Sequence, residues 1–76
     1  MTWNYRVVHR VLSAEDFYEI HEAYYDGDKA TSITEEPVHP RGQTLEEFLR
    51  DCENYVKAIE RPVLEYADFD FSVSGG

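Results

Sequence analysis

One segment constrains this chain more than any other. Thr44 to Arg61 reads as a single capped amphipathic helix, and three short strand-like runs precede it. Thr44-Leu45-Glu46-Glu47 is a capping box: the threonine hydroxyl accepts from the amide of Glu47, and the glutamate side chain reaches back toward the start of the helix. Leu45, Phe48, Leu49, Cys52, Tyr55, Val56 and Ile59 follow at helical spacing and form one apolar stripe, wide enough to cover a three-stranded sheet. Glu46–Arg50 and Glu53–Lys57 are i,i+4 pairs in the favourable order, each contributing ~0.2–0.5 kcal/mol. Acids lead the helix while Lys57 and Arg61 end it, as the macrodipole prefers, and Pro62 stops it.

The runs before the helix have a different period. Trp3, Tyr5, Val7, His9 and Val11 share one face of the run Trp3–Leu12, while Asn4, Arg6 and Arg10 point the other way. Period 2 with aromatic and β-branched residues makes this a half-buried strand. Phe17 to Tyr25 is ambiguous. Tyr18, Ile20 and Tyr24 alternate as in a strand, yet Phe17, Ile20 and Tyr24 also fit a helix, with Ser13 and Asp16 as a weak start signal. The run ends in Asp26-Gly27-Asp28, a hairpin-type turn, which favours strand. Ala30 to Thr34 then completes a meander. Val63 to Tyr66 adds either a short edge strand or a segment that packs back across the helix.

At 76 residues the chain makes one domain, and a domain of this size buries only about 60–65 % of its unfolded surface. The expected fold is a single α+β domain over residues 1–71. It has a three-stranded antiparallel β-meander covered by one long α-helix, a short C-terminal segment, and a flexible tail at 72–76 with Ser-Gly composition. With one cysteine there is no internal disulfide, and no membrane-length apolar run occurs, so a cytoplasmic protein is expected.

The net charge of -9 is unevenly placed. Residues 15–36 carry eight acids against Lys29 alone, whereas residues 1–14 carry +2. Glu15, Asp16, Glu19, Glu22, Asp26, Asp28, Glu35 and Glu36, with Tyr24 and Tyr25 as apolar anchors, therefore form the candidate partner-binding set. Such an acidic field steers toward cationic surfaces and repels nucleic acid. Solubility alone is the competing explanation for the acids. Arg6, Arg10, Arg41 and Arg50 are scattered rather than clustered, which disfavours direct nucleic-acid binding.

Little in the chain frames a reaction. His9, His21 and His39 lie in no ligand spacing. Glu19 and His21 share a strand face, but a structural zinc site normally needs four ligands. Asp26-Gly27-Asp28 lacks the closing glutamate of a calcium loop. Cys52 lies on the apolar stripe and reads as a small core residue. Neither Ser13 nor Ser32 is framed as an activated nucleophile. No cofactor, metal or catalytic residue is expected.

Trp3-Asn4-Tyr5-Arg6-Val7, Ile20-His21-Glu22-Ala23-Tyr24-Tyr25-Asp26 and Pro37 to Glu47 resemble a family of small bacterial proteins of unassigned function. More distantly, Gly42-x-Thr44-Leu45-Glu46-Glu47 after strands and before an amphipathic helix resembles the HicB antitoxin fold, a β-β-β-α unit. That resemblance implies a protein that covers the active site of a small basic ribonuclease toxin and often oligomerises. Phe48 stands where HicB proteins usually carry a small residue, and no DNA-binding module follows residue 64, so operator binding is not implied. The function expected is a non-catalytic inhibitor of a basic nucleic-acid-handling protein, either antitoxin-like or a phage anti-defence nucleic-acid mimic. Its rivals are a self-associating structural or adaptor protein, a homodimer paired through an edge strand, and a small metal-dependent hydrolase using His21.

Overall fold

The computed structural model describes residues 2–69 and 71. Its elements run β1 (Thr2–Leu12), β2 (Glu15–Asp26), β3 (Lys29–Ile33), α1 (Leu45–Ile59) and β4 (Leu64–Glu65), and a 3-10 turn at Tyr66–Asp68 follows. The tail expected at 72–76 lies outside the described residues. The sheet order is β3-β2-β1-β4. The antiparallel meander is present, but the sheet is four-stranded and mixed rather than three-stranded and antiparallel. Pro62 ends the helix, and the chain then returns to lay β4 parallel to β1 through Val8–Leu64 and His9–Glu65.

β1 and β2 pair without interruption from Thr2–Tyr25 to Leu12–Glu15. This resolves residues 15–26 as strand, because each residue finds a partner across the ladder that a helix would not supply. Ser13 and Ala14 connect the strands with φ of 51° and 66°. A two-residue loop with both centres left-handed matches the twist of the strands it joins. Gly27, at φ 67°, opens the β2–β3 turn as expected of a glycine in first place. A register shift at Tyr24–Tyr25 accommodates one extra residue in β3.

The buried side of the sheet is the opposite of what alternation suggests. Trp3 and Val11 are more than half exposed, whereas Arg6, Val8, His21 and Ala23 are buried on the other face. Val8, Ala23 and Ile33 form the centre of the core, and Tyr25, Ala30, Leu64, Tyr66, Phe69 and Phe71 pack around them. The arginines can line this face because each guanidinium finds partners, although the buried Nε of both Arg6 and Arg10 has no hydrogen-bond partner among the described residues. Arg6 donates from Nη1 to the Tyr25 hydroxyl and from Nη2 to the Pro62 carbonyl. Arg10 lies 4.2 Å over the Tyr66 ring and 3.7 Å from Glu19. Tyr66, Phe69 and Phe71 cover this arginine face.

The helix lies against the other face, at the Tyr5 position of β1. The Tyr5 and Tyr55 rings are 4.3 Å apart, the Tyr5 hydroxyl donates to Asp51 at 3.2 Å, and Arg61 donates to the Tyr5 carbonyl. The other Asp51 oxygen accepts from the Arg41 amide at 3.0 Å, which ties the incoming loop to the helix. Thr44 caps α1 as expected, with its hydroxyl accepting from the Glu47 amide at 3.1 Å, while the Glu47 carboxylate reaches to the Gln43 amide. Only Ala58 of α1 is buried.

Candidate binding surfaces

The ten residues singled out from sequence do not gather on one surface. β2 distributes them by its pleat and its length. Glu15 and Asp16 stand at one end of the strand and Asp26 at the other, separated by about 35 Å at ~3.3 Å per residue. Glu19 and Tyr25 point to the buried face, whereas Asp16, Glu22 and Tyr24 point to the helix-bearing face. The structure brings together only subsets.

Glu19 belongs to a polar network beneath the C-terminal segment. Its carboxylate meets His21 Nε2 at 2.9 Å, and His21 Nδ1 meets the Thr34 carbonyl, also at 2.9 Å. Tyr66 closes over the His21 ring edge-on at 5.8 Å. Glu19 and His21 do share a face, and Glu19 Oε1 and both His21 nitrogens are engaged with each other, Arg10 and Thr34. Among the described residues, no group of three or more His, Cys, Asp or Glu side chains is placed to hold a metal ion.

On the opposite face Glu22 accepts from the Tyr24 hydroxyl at 2.6 Å, and this carboxylate raises the tyrosine pKa above its ordinary value of 10.0. Tyr24 is half-buried and holds Glu22 in place. Tyr25 is bound to Arg6 and packs on the core, so of the two tyrosines only Tyr24 is placed to meet a partner.

The remaining acids make a coherent feature. Asp26, Asp28, Glu35 and Glu36 are exposed along the open β3 side of the sheet, where Lys29 is the nearby cation. None of the four forms an ion pair among the described residues. The backbone beneath them is fixed. Thr34 and Val38 donate to the β2 carbonyls of Glu22 and Ile20, and the Tyr66 hydroxyl donates to the Glu35 carbonyl at 3.1 Å.

A second surface was not singled out as a binding site from sequence. The apolar stripe of α1 faces outward, with Leu45 72 %, Val56 58 % and Ile59 69 % exposed, and with Leu49 and Phe48 open as well. Of the residues grouped in the stripe, Tyr55 turns instead to the sheet, and the face that meets it carries Asp51, Tyr55 and Ala58. Burial within the helix contact also holds Tyr5 and Tyr55 above the ordinary tyrosine pKa, with nearby Asp51 adding to both.

Comparison with family models, with curated proteins and with solved structures finds no match for this chain. Among the described residues no helix is long and apolar enough to cross a membrane.

Proposed function

We propose that this protein is a non-catalytic acidic binding module that docks on a basic protein through the β3 side of its sheet. The observation that carries this reading is two pairs of exposed carboxylates without an ion pair among the described residues, Asp26 and Asp28 at the start of β3 and Glu35 and Glu36 beyond its end, the latter on a backbone held by β2 and Tyr66. Carboxylate pairs held at the two ends of an edge strand can occupy a cationic groove that otherwise receives phosphates. The partner class is a nucleic-acid-handling protein, and the module acts there as an inhibitor in the cytoplasm. A HicB-like β-β-β-α unit is the finer fold reading, and on it the partner is a small basic ribonuclease.

The test is capture of partners from a lysate of the source organism with tagged protein, washed at low and then high salt. A stoichiometric basic protein should be retained at low salt and released at high salt. Charge reversal at Asp26, Asp28, Glu35 and Glu36 should abolish its capture. Retention unchanged by the reversal contradicts the acidic docking edge.

A second reading, a self-associating module, is favoured by a separate observation: the outward apolar stripe of α1. An exposed apolar patch of a few hundred Å² is a usual mark of an association surface.

A further inference from the structure

The spacing of the α1 stripe is symmetric. Leu45, Phe48, Leu49, Cys52, Tyr55, Val56 and Ile59 are separated by three, one, three, three, one and three residues, so the sequence of steps reads the same from either end. Cys52 is its midpoint. A second helix laid antiparallel across the first therefore brings Leu45 level with Ile59, Phe48 with Val56, and Cys52 with itself, while Leu49 falls level with Tyr55 at the rim, where that ring is already stacked on Tyr5. No charged residue occupies any of these positions, and an antiparallel pair sets opposite dipole ends together.

We propose that the stripe is a homodimer interface, in which two copies of the chain pair their α1 helices antiparallel about a twofold axis at Cys52. This rests on the self-association reading and is independent of the acidic docking edge. A twofold contact must be self-complementary, each residue i meeting j as j meets i, and the symmetric stripe satisfies that requirement. Five stripe residues are exposed, Leu45, Phe48, Leu49, Val56 and Ile59. Specific interfaces begin at about 1,200 Å² for a pair, about 600 Å² from each copy, and these five side chains with their rim are the apolar area the helix offers toward it. The stripe is about 21 Å long, at 1.5 Å per residue, enough to engage a partner helix over its whole length.

The central residue fits the geometry. Helix axes pack about 8–10 Å apart, and with Cα atoms about 2.3 Å off each axis, facing Cα atoms on the twofold are about 3.4–5.4 Å apart, so the wider spacings reach the ~4.4–6.8 Å that a disulfide spans. A small side chain at the midpoint lets the helices approach. Cys52 is free and partly accessible in the single chain, so it reports on the contact.

Charge separates this association from docking on a basic partner. Each copy carries -9, so pairing of two copies works against repulsion and tightens as salt is added. A complex with a cationic protein loosens under the same change.

Sedimentation velocity at rising concentration and at two salt levels tests the proposal, with oxidative cross-linking by copper-phenanthroline as a second readout. The wild-type protein should pass from 8.9 kDa toward twice that mass, more readily at high salt, and should form a Cys52-linked dimer on oxidation. Val56→Glu should weaken the dimer by about 100-fold or more and abolish the cross-link, while retaining the wild-type circular dichroism of the dilute protein. A wild-type protein that stays monomeric to about 0.5 mM overturns the proposal. So does a dimer that ignores Val56→Glu, or one that yields no cross-link. The variant reversed at Asp26, Asp28, Glu35 and Glu36 should still dimerise. Loss of basic-partner capture with an intact dimer thus removes only the docking edge, and a monomer that still captures the basic partner removes only the helix pair.

Discussion

His9 sits between carboxylates from two different elements. Its Nδ1 meets Glu65 at 2.7 Å and its Nε2 meets Asp16 at 2.7 Å, joining the start of β2 to β4 across β1. Both nitrogens can donate only when the ring is protonated, and the hydrogen bonds to Glu65 and then Asp16 raise its pKa above 6.5. A histidine whose folded pKa is raised contributes its full stabilisation below the unfolded value and loses it as pH rises through the folded value. The thermal midpoint should therefore fall as pH rises above about 6.5, and His9→Asn should flatten that slope. An identical slope in the variant, followed by calorimetry, would show that the clamp has no energetic role. Gly42 is constrained differently. A Cβ there would lie 2.8 Å from the Glu47 carbonyl carbon and would collide with the Phe48 amide, both backbone atoms of the first turn of α1. Gly42→Ala should cost about 1–3 kcal/mol in urea denaturation, because neither neighbour can move without unwinding the helix start. A wild-type midpoint would mean that the loop is free to shift.

At the scale of elements, the parts that sequence made legible are those fixed by local chemistry. Thr44 and Glu47 announce the helix start because capping is settled within four residues, and Asp26-Gly27 announces its turn for the same reason. Which face of each element is buried is a different question, since it is decided by what arrives from elsewhere in the chain. Alternation in β1 separated Trp3, Tyr5, Val7, His9 and Val11 from Arg6 and Arg10 but favoured the wrong side as core. Tyr66, Phe69 and Phe71 come back over the arginine face and, with Tyr25, Glu19 and the Pro62 carbonyl, supply the partners that make its burial tolerable. The helix shows the same limit. Periodicity groups Leu45 through Ile59 on one side, yet it holds no information on whether that side meets this chain's sheet. Tyr5, by stacking on Tyr55 and binding Asp51, rotates the helix so that the stripe turns outward. The acidic set was legible as charge and illegible as a surface, because the pleat of β2 sends Glu19 and Glu22 to opposite faces.

For the whole molecule, these placements give two exposed surfaces of opposite character on a domain with a small core, which we propose as association surfaces. The β3 edge is acidic, as the proposed cationic partner requires, whereas the α1 stripe is apolar and evenly spaced, as the proposed pairing with its own copy requires. They occupy different elements, so a dimer can present two docking edges at once, which raises apparent affinity for a repeated or dimeric target through effective concentration. The dimer depends on the orientation of α1, and a pair of neighbouring helix positions tests it. Val56 is 58 % exposed and Ala58 is fully buried. The deciding measurement is urea denaturation of Val56→Glu and Ala58→Glu at about 1 µM, where the chain is monomeric if its dimer constant lies well above that. The outward stripe predicts a change within about 0.5 kcal/mol for Val56→Glu and a loss of about 3 kcal/mol or more for Ala58→Glu, which buries an unpaired charge. The reverse ranking, with Val56→Glu the damaging change, would place the stripe against the chain's own sheet and contradict both the helix orientation and the dimer built on it.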